Sequence, residues 1–505
     1  MGSAFYALSA VHKITPAVAQ LQHWLSQHPS AKAYWVGGCL RHVLADHAAG
    51  QSERDLYRLQ RTIDDYDLTL IGACPRALSQ ALANALNAHW VPLDEAWGIY
   101  RLILTHAPFQ NVSIDIAAAL GDDIYTDLAR RDLTINAMAL RLELVEGTTP
   151  DFSDFKDFPG FIDPYNGLAD LRARKIRMLS EANLKDDPLR LLRVFRMGAA
   201  IDATDYDPQT IEVVRRYAPR LSQSAPERQQ LEFFKLLSRP DSFKHLQAMA
   251  DAGLLEVVLP ELTPCRAVPA NTHHHLPLWD HTLEVARQCE VMFSSLPANT
   301  QAELLTPLGA PQSPLSRLGA VKFAALMHDV GKPDTMALLE NGRYTFYGHE
   351  AVSETLSEQA CARLKAANAV TQQLKRLTRW HLYPCAFSPA SSQKSVLRFL
   401  RRIGEATPDL MLLAMADRMA TKGPAVLPQD LTEAIAHHRW LLAQHYAYKP
   451  VLSQPRLLDG QAVMQLLGLK PGKQVGEWLA RLQEAQQLGE IQTPEAAQAW
   501  LISQA

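Results

Sequence analysis

Two aspartates, Asp65 and Asp67, begin the strand-like run DYDLTLI. Side chains at positions i and i+2 of a strand point to the same side, so both carboxylates can converge on one cation. Hard oxygen ligands suit Mg²⁺, which usually takes only one or two protein carboxylates together with phosphate oxygens. Asp115, in the run VSIDIA, would supply a third carboxylate if its strand lies beside the first. An Asp-x-Asp pair taken alone is weak evidence, because a solvated strand end has the same pattern.

A strand ending at Val36 is followed by Gly37, Gly38 and a helix predicted to begin at Cys39. Two glycines allow backbone N–H groups to approach phosphate oxygens at a helix N-terminus. A tight turn without a ligand is the simpler interpretation of the glycine pair alone. The order strand, Gly-Gly, helix and then a strand with Asp-x-Asp nevertheless predicts a phosphate cradle followed by a metal site. Nucleotidyl transfer requires that combination.

The run RRDLTINAMAL brings Arg131, Asp132 and Asn136 close together in the chain. Its charged residues, threonine and asparagine are poor for a helix interior but suit the binding of a ribose and a triphosphate. Arginine donates to phosphate oxygens in a fork, while aspartate and asparagine bond sugar hydroxyls. Taken alone, the run is also consistent with an ordinary salt-bridged start of a helix.

The segments VGGCLR, DYDL and RRDLTINAMAL, in this order, resemble the signatures of the class II tRNA nucleotidyltransferase and bacterial poly(A) polymerase family. The resemblance implies an α/β nucleotidyltransferase head of the polymerase beta-like class. Two features depart from the family pattern. His42 stands where the family usually has an acidic residue, and a charged insert at 51–61 lengthens the stretch before the aspartates.

The resemblance also implies a role for each motif. The Asp-x-Asp pair would bind Mg²⁺ and activate a terminal 3′-hydroxyl for in-line attack on an α-phosphate, in two-metal nucleotidyl transfer. The glycine turn with its arginine would hold the triphosphate, and the RRD segment would position the ribose. The residues concerned are Asp65, Asp67, Asp115, Gly37, Gly38, Arg41, Arg131, Asp132 and Asn136.

A further segment carries Asp187, Arg190, Arg193 and Arg196 at intervals of three residues. We expect a helix with the aspartate near its first turn and the next proline inside it, which makes one polar stripe. A carboxylate accepts from the amino group of C or A, and a guanidinium donates to ring acceptors of the same base. A salt-bridged surface helix is the simpler interpretation of the composition alone. The segment resembles the family's template helix, in which Asp187 and Arg190 would read the base.

The segment DPYNGLADL resembles the family's flexible hinge, with Asn166 where the family has its first glycine. Asparagine tolerates left-handed backbone nearly as well as glycine, so a hinge remains feasible. From Arg172 to Arg196, eight basic residues stand against three acidic ones. This predicts a local positive face for an RNA backbone, in a chain whose net charge is only −3.

The later helical part contains WDHTLEVA, AALMHDVGK, YGHE, RWH and MADRMA. An adjacent His–Asp pair in an apolar helical setting is costly unless it binds something. Neutral imidazoles and carboxylates suit a divalent transition metal or a two-metal site. The order H…HD…H…H…D resembles the HD phosphohydrolase superfamily, which implies a metal such as Ni, Mn or Co and phosphatase or 2′,3′-cyclic phosphodiesterase activity. The ligands would be His281, His328, Asp329, His349, His381 and Asp417.

Near the C-terminus, a helix, glycine turn, helix pattern contains Lys470 and Lys473 around a Pro-Gly pair. Free N–H groups and a cation at a helix start can anchor a phosphate backbone. A plain capping turn explains the pattern about as well. The passage resembles the tail of HD-containing nucleotidyltransferases, where it helps to hold tRNA.

The elements that must position these residues divide the chain. Its 505 residues suggest three to five domains. Strands are expected at 34–36, 66–71, 100–105 and 112–116 and a helix at 76–88, after which helical spacing dominates. We predict an α/β head at 14–165, a helical nucleotide-selecting and RNA-binding neck at 166–265, an HD domain at 268–425 and a helical tRNA-binding tail at 426–505. Dispersed cysteines without CxxC, no basic-apolar leader and no membrane-length apolar run favour the cytoplasm.

The sequence therefore predicts template-independent addition of CCA, from CTP and ATP, to tRNA 3′ ends, with additional HD phosphohydrolase activity. Poly(A) polymerase, or an enzyme that adds only CC or only A, is the nearest alternative, because the head motifs are shared. A second alternative is a phosphohydrolase whose head only binds tRNA. A catalytically inactive RNA-binding protein is the least favoured, because both sets of residues are complete.

Overall fold

The computed structural model describes residues 17, 19–48, 65–105, 112–119, 121–142, 160–271, 275–423 and 427–504. The charged insert at 51–61 lies outside the described residues. The chain forms two compact units. The first comprises the described residues up to Ala225 together with Ala248–Val257, and the second comprises Pro226–Gln247 and the described residues from Val258 onwards. Within these parts of the chain, no helix is both long and apolar enough to cross a membrane.

The first unit contains a seven-stranded sheet with the order β3-β4-β5-β2-β1-β6-β7. Neighbouring strands are antiparallel, except that β2 and β5 run parallel. The strands are β1 (Lys32–Val36), β2 (Asp65–Ile71), β3 (His89–Asp94), β4 (Ile99–Leu104), β5 (Val112–Ala118), β6 (Ala139–Arg141) and β7 (Phe161–Ile162).

Alternation along the strands decides which side chains enter the core. In β5, Val112, Ile114 and Ile116 are buried, whereas the intervening Ser113 and Asp115 are partly exposed. Apolar residues therefore face the core, and the polar residues between them point to the opposite side of the sheet. Side chains alternate in β2 in the same way, so Asp65 and Asp67 lie on the same side of the sheet as Asp115.

The four strands expected from the sequence are all present, whereas β3, β6 and β7 were not predicted. Strand β3, with the sequence HWVPLD, lies at the edge of the sheet. Its side chains are mostly exposed, and its register shifts between Pro92 and Asp94. Edge strands lack a strong apolar alternation, and they tolerate proline. The periodicity on which sequence-based assignment depends is therefore weak there.

Helices of the first unit flank the sheet and follow it. A further helical stretch at 19–26 comes before β1, and a short parallel pair, β8 (Lys175–Ile176) and β9 (Asp205–Tyr206), lies beyond the sheet. The helices are α1 (Gly37–Ala48), α2 (Pro75–Ala85), α3 (Ile124–Ala129), α4 (Gly167–Arg172), α5 (Glu181–Asp186), α6 (Leu189–Ala200) and α7 (Pro208–Tyr217).

Asn166, the cap residue of α4, has φ 57° and ψ 37°, a left-handed backbone that asparagine was expected to tolerate at this hinge position. The next residue, Gly167, lies so close to the chain that a Cβ there would be 2.2 Å from the carbonyl oxygen of Thr134. The glycine is therefore required for close packing. The asparagine supplies the turn.

The structure corrects the expectation of one continuous helix around Asp187. Helix α5 ends at Asp186, Asp187 is extended with φ −128° and ψ 97°, and α6 begins after Pro188. Proline disfavours helical backbone at the residue before it, which separates the two helices. Asp187 therefore precedes the helix that carries the arginines.

The second unit is almost entirely helical, with one small hairpin. Residues Ala248–Val257 lie within this part of the chain but belong to the first compact unit. The elements are α8 (Pro226–Leu237), α9 (Phe243–Asp251), α10 (Leu255–Val258), α11 (Leu278–Ser294), α12 (Ala298–Leu304), α13 (Arg317–Met327), α14 (Lys332–Thr335), β10 (Ala337–Leu338), β11 (Tyr344–Thr345), α15 (His349–Arg363), α16 (Asn368–Trp380), α17 (Gln393–Ile403), α18 (Thr407–Ala420), α19 (Pro428–Leu452), α20 (Gly460–Leu467), α21 (Lys473–Gln487) and α22 (Pro494–Gln504).

Within this unit, α11 packs on α13 and α18, and α15 packs on α16. The last three helices, α20 to α22, share a small core that includes Val463, Leu482 and Leu501. The proline-containing stretch at 294–316 contains α12. Pro297 stands at the cap of this helix, where proline is compatible with a helix start.

The neck predicted at 166–265 contributes residues to both compact units. Its first part, up to Ala225, belongs with the sheet, and the stretch from Pro226 to Gln247 belongs with the helical unit. The division into head, neck, HD domain and tail remains a proposal about function along the chain.

Candidate active sites

The three predicted carboxylates lie on two adjacent parallel strands. Asp67 of β2 is directly beside Asp115 of β5, and Asp65 is beside Ser113, whose hydroxyl donates to the Asp65 carboxylate. The expectation that β5 would bring Asp115 next to the Asp-x-Asp pair is therefore confirmed. A group of carboxylates on one face of a sheet has the donor chemistry that Mg²⁺ prefers.

The glycine turn lies directly over Asp67. The backbone N–H of Gly38 donates to Asp67 Oδ2 at 3.3 Å, and Gly37 has a positive φ of 75°. A Cβ on Gly37 would be only 2.4 Å from the same oxygen. Helix α1 begins at Gly37, two residues earlier than predicted. The turn therefore orients a carboxylate, a contact that its sequence did not indicate.

Burial raises the pKa of Asp67. The Gly38 N–H lowers it, while the neighbouring charge of Asp115 raises it further. A buried carboxylate among like charges is a site where a cation would be strongly stabilising. The electrostatics thus agree with the geometry in pointing to a cation at this position.

Arg101 of β4 was missed by the sequence analysis. Its Nε and one terminal nitrogen each donate to the Asp115 carboxylate at 2.7 Å, and Arg101 and Asp115 are directly opposite in the register of β4 and β5. The pair raises the pKa of Arg101. The only available signal was a lone arginine in an apolar strand, IYRLIL, one strand away.

A second layer of polar residues connects the RRD segment to the template helix. The Arg41 guanidinium donates to Asn136 Oδ1, and Asn136 Nδ2 donates to Asp132 Oδ1 at 2.8 Å. On the other side of Asp132, Arg193 Nε donates to Oδ2 at 2.5 Å. Arg131 donates to Asp127 and to the carbonyl oxygen of Asn136. Five residues predicted to bind nucleotide therefore form one connected network.

The charges in this network are tightly balanced. Burial, together with the nearby charges of Arg196 and Arg193, lowers the pKa of Arg41 to about 10. Burial raises the pKa of Asp132, but the Arg193 charge and several hydrogen bonds outweigh it and bring the pKa to about 2. An excess of guanidinium groups at a buried position favours an anion such as a triphosphate.

The proposed base-reading pair lies at the start of α6. Asp187 accepts from the backbone N–H of Leu189 at 3.2 Å, and Arg190 donates to the carbonyl oxygen of Asn183 at 3.0 Å. Along α6, Arg190, Arg193 and Arg196 are half-buried among fully buried apolar neighbours, which confirms the polar stripe. These contacts with the backbone hold the two side chains in place, and the base that they would read is a matter for the proposed function.

The six histidines and aspartates of the second unit come from five helices and their ends. His281 lies in α11, His328 and Asp329 follow α13, and His349 opens α15. His381 caps α16, and Asp417 lies in α18. The sequence thus predicted a cluster whose members are separated by up to 136 residues, from position 281 to position 417.

The side chains converge at short distances. His281 Nε2 is 3.2 Å from Asp417 Oδ1 and 3.6 Å from Asp329 Oδ2. His328 Nε2 is 3.3 Å from Asp329 Oδ2, and His349 Nε2 is 3.1 Å from Asp329 Oδ1. The distance from His381 Nε2 to Asp329 Oδ1 is 3.7 Å. The structure therefore brings all six predicted ligands together.

The donor atoms of this cluster fit a cation. The Nδ1 atoms of His328, His349 and His381 each bond a backbone carbonyl oxygen, which leaves Nε2 facing inward. These three Nε2 atoms, with Asp329 Oδ1 and Asp417 Oδ1, are buried and have no hydrogen-bond partner. His328 belongs to both sets of three residues whose donor atoms suit a single ion. Second-layer carbonyls of this kind commonly fix histidine ligands.

The electrostatics of the cluster also favour a cation. Burial lowers the pKa of His328, but the Asp329 and Asp417 carboxylates raise it to about 10. Burial and the charge of His328 lower the pKa of His381 to about 4. Burial opposes ionisation of the two carboxylates, yet the histidines hold their pKa well below the usual range. Positive charge is thus strongly stabilised at the centre of the cluster.

Lys332 is a second residue that the sequence analysis missed. Its Nζ is 2.5 Å from Asp329 Oδ2 and 5.5 Å from the centre of the Phe346 ring, and the residue is buried. The signal was present, because Lys332 follows His328 and Asp329 within the run HDVGK. A lysine three residues after an aspartate on a helical turn pairs with it.

The two tail lysines occupy an exposed turn. Lys470 follows α20, and Lys473 begins α21 with its Nζ 3.7 Å from Glu477 Oε1. Both side chains are exposed. Their predicted contact with RNA remains a proposal.

Family models match three parts of the chain. Residues 33–177 match the poly A polymerase head domain, and residues 205–266 match the probable RNA and SrmB-binding site of polymerase A. Residues 278–422 match the HD domain. The first match includes the three carboxylates and the glycine turn, and the third includes all six members of the histidine–aspartate cluster.

An A-adding tRNA nucleotidyltransferase of Deinococcus radiodurans is 34% identical over 462 residues, which cover 90% of this chain and 94% of that protein. The chain belongs to the tRNA nucleotidyltransferase family. A CC-adding tRNA nucleotidyltransferase of Thermus thermophilus is 30% identical over 461 residues, 90% of this chain and 92% of that protein. The resemblance seen in the sequence is thereby confirmed. This member of the family is a nucleotidyltransferase with an HD domain.

Solved structures of the family share the fold. A Thermotoga maritima CCA-adding enzyme complexed with tRNA has a TM-score of 0.57 at 18% identity, over 98% of this chain and 97% of that one. The predicted architecture, a polymerase-type head with a helical remainder that includes an HD domain, is confirmed. A nucleotidyltransferase head and an HD domain together imply dependence on divalent metal ions.

Proposed function

We propose that this tRNA nucleotidyltransferase adds C and A, from CTP and ATP, to the 3′ end of tRNA without a nucleic-acid template. The observation that carries the proposal is the group of three carboxylates on β2 and β5 beneath the glycine turn, in a chain with full-length relatives that act on tRNA. We also propose a cytoplasmic location, which a tRNA substrate supports.

Mg²⁺ bound at this site would polarise the α-phosphate and lower the pKa of the attacking 3′-hydroxyl. Asp65 and Asp67 hold the cation, and Asp115 adds charge from the neighbouring strand. The 3′-oxygen forms a bond to the α-phosphorus, the bond to the β-phosphate bridging oxygen breaks, and pyrophosphate leaves. Gly37, Gly38 and Arg41 bind the triphosphate. Arg131, Asp132 and Asn136 position the ribose.

Base selection is assigned to Asp187 and Arg190. The carboxylate accepts from the amino group that C and A share, and the guanidinium donates to the adjacent ring nitrogen or carbonyl. G and U present the opposite donors and acceptors. The contact between Arg193 and Asp132 supports this assignment, because it ties the arginine stripe of α6 to the segment that positions the ribose.

Addition of only CC or only A is the second candidate. The full-length relatives reported above are named for one partial addition or the other. The motifs on β2, β5 and α6 are compatible with either reaction, since C and A present the same pattern of one donor and one acceptor.

The deciding experiment measures incorporation of labelled CTP and ATP, with Mg²⁺, into tRNA transcripts that end before C74, before A76 and after A76 in tRNA numbering. We expect ordered addition of C, C and A that then stops. Addition of A alone or of CC alone would assign the chain to a partial pathway, and continued A addition would indicate a poly(A) polymerase. Absence of all incorporation would contradict the proposal and move the chemistry to the HD site.

Arg101 offers a test of the metal site itself. We expect Arg101→Gln to lower the half-saturating Mg²⁺ concentration by roughly threefold to tenfold, because it removes a positive charge bonded to Asp115. Arg101→Lys keeps the charge and is expected to stay near wild type. The measurement is the initial rate of incorporation against Mg²⁺ concentration. A raised Mg²⁺ requirement in Arg101→Gln would instead show that the arginine orients Asp115 as a ligand.

For the HD site we propose metal-dependent phosphoester hydrolysis, with Ni²⁺, Mn²⁺ or Co²⁺ held by the six clustered residues. The inward Nε2 atoms and carboxylate oxygens suit such a borderline metal. In this reaction a water oxygen bonds to phosphorus, and the ester oxygen leaves with a proton. Lys332, paired with Asp329, is placed to neutralise phosphate charge. The tail lysines Lys470 and Lys473 are assigned to the tRNA backbone.

A further inference from the structure

A small hairpin connects the two halves of the histidine–aspartate cluster. Residues 336–348, here called the 336–348 hairpin, run from α14 to α15 and include the antiparallel strands β10 and β11. Tyr347 is 87% exposed, more than any other large apolar side chain that the structure describes. Single exposed apolar residues are common on protein surfaces. The position of Tyr347 relative to the cluster distinguishes it from them.

The backbone at Tyr347 is tied to the cluster. The carbonyl oxygen of Phe346 accepts a hydrogen bond from His349 Nδ1 at 2.8 Å. This carbonyl group belongs to the peptide bond between Phe346 and Tyr347. On the far side of the histidine ring, His349 Nε2 is 3.1 Å from Asp329 Oδ1. Adding the intervening bonds to the 2.8 Å hydrogen bond puts the Tyr347 nitrogen no more than about 8 Å from His349 Nε2.

A second contact holds the same part of the hairpin. Lys332 Nζ lies 5.5 Å from the centre of the Phe346 ring and 2.5 Å from Asp329 Oδ2. A buried ammonium bridging a carboxylate and an aromatic face is a strong anchor. Phe346 is therefore fixed to Asp329 through a side chain and to His349 through the backbone. The exposed ring of Tyr347 is thus carried by a fixed segment.

An apolar side chain also follows a neighbouring ligand. Leu382 comes directly after His381 and is 46% exposed. The rings of His349 and His381 are 5.5 Å apart. Tyr347 and Leu382 thus extend from chain segments that meet at the cluster, and both present apolar surface to solvent.

We propose that Tyr347, together with Leu382, forms a base-binding subsite of the HD site. Its ligand is a nucleoside whose phosphate ester lies at the histidine–aspartate cluster, either a free nucleotide or the last residue of an RNA. An exposed planar ring within a nucleotide's length of a phosphate site has the chemistry for base stacking, and stacking tolerates any base. The subsite rests on the phosphohydrolase function proposed for the same cluster.

The test measures ligand binding as well as turnover. Calorimetry with the full-length, Mn²⁺-loaded enzyme gives the Kd of adenosine 3′-phosphate and of ribose 3-phosphate, which lacks the base. We expect Tyr347→Ala to weaken adenosine 3′-phosphate binding by roughly tenfold to a hundredfold, with ribose 3-phosphate unaffected. Tyr347→Phe retains the ring and is expected to bind as wild type. Leu338→Ala, which removes an exposed side chain from the same hairpin, is the matched control.

Hydrolysis of 2′,3′-cyclic AMP, and of a short RNA ending in a 2′,3′-cyclic phosphate, provides the second readout and separates the two sources of ligand. If adenosine 3′-phosphate binding depends on Tyr347 but no hydrolysis is detected, the subsite is supported and the phosphohydrolase function is contradicted. Hydrolysis at the same rate in wild type and Tyr347→Ala would support the phosphohydrolase function and contradict the subsite. Equal weakening of both phosphates by Tyr347→Ala, or absence of adenosine 3′-phosphate binding in wild type, would overturn the subsite.

Discussion

Asp67→Asn is expected to reduce nucleotide incorporation by about a thousandfold or more, because the carboxylate proposed to hold Mg²⁺ becomes a neutral amide while the side chain keeps its shape. The asparagine oxygen can still accept from the Gly38 N–H. Since burial raises the pKa of Asp67, the ionised form is disfavoured in the folded protein. A neutral isostere is therefore expected to leave the Tm unchanged or higher. Incorporation of labelled nucleotide and thermal unfolding of the same preparation measure both effects.

The reciprocal variant, His328→Ala, separates the two centres. His328 belongs to both candidate sets of metal ligands, so its removal is expected to abolish metal retention and phosphoester hydrolysis by the HD site. Incorporation by this variant, and hydrolysis by Asp67→Asn, should each persist at wild-type level. Loss of both activities in either single variant would mean that one centre performs both reactions.

Gly37→Ala is expected to reduce incorporation by about a hundredfold, the effect of moving a reacting group by an ångström. The new Cβ would be 2.4 Å from Asp67 Oδ2 and 3.1 Å from its carboxyl carbon, so the carboxylate must shift. The positive φ of 75° adds backbone strain of roughly 1–2 kcal/mol. The rate at saturating nucleotide and Mg²⁺ measures the displacement.

Gly253→Ala controls for strain without a clash. Gly253 has a φ of 73°, and a Cβ there would meet nothing within 4 Å. Both alanine variants should lose similar stability in thermal unfolding, but only Gly37→Ala should lose incorporation. Comparable activity in the two would show that the turn can accommodate a methyl group and that Asp67 is not held as tightly as the geometry indicates.

The local sequence pattern was sufficient to predict several strands of the sheet in the first unit. The period of two in DYDLTLI and VSIDIA predicted both strands and the outward side of their aspartates, because strand alternation is set by the backbone itself. Asn166 was expected to tolerate left-handed backbone, and it adopts that conformation. The failures have equally local causes. The edge strand β3 has little alternation, and Pro188 divides a stretch expected to be one helix.

The sequence analysis missed Arg101 and Lys332. The role of each depends on the side chains that surround it in the folded protein. Arg101 becomes meaningful only because β4 aligns it opposite Asp115. Arg193 was predicted as part of the arginine stripe, but its hydrogen bond to Asp132, 61 residues earlier, was not. Sequence spacing carries no information about register between strands, or about which helix meets which loop.

What the sequence by itself determined is the set of reactive groups and their order: carboxylates after a glycine turn, an arginine stripe, and the succession of histidines and aspartates. Such groups are recognisable because few other roles require those residue types at that spacing. Tertiary structure alone decided that Gly37 lies against Asp67 and that Arg101 pairs with Asp115. These contacts depend on strand register and helix packing, which join distant segments through the whole core and are not written in any single stretch of chain.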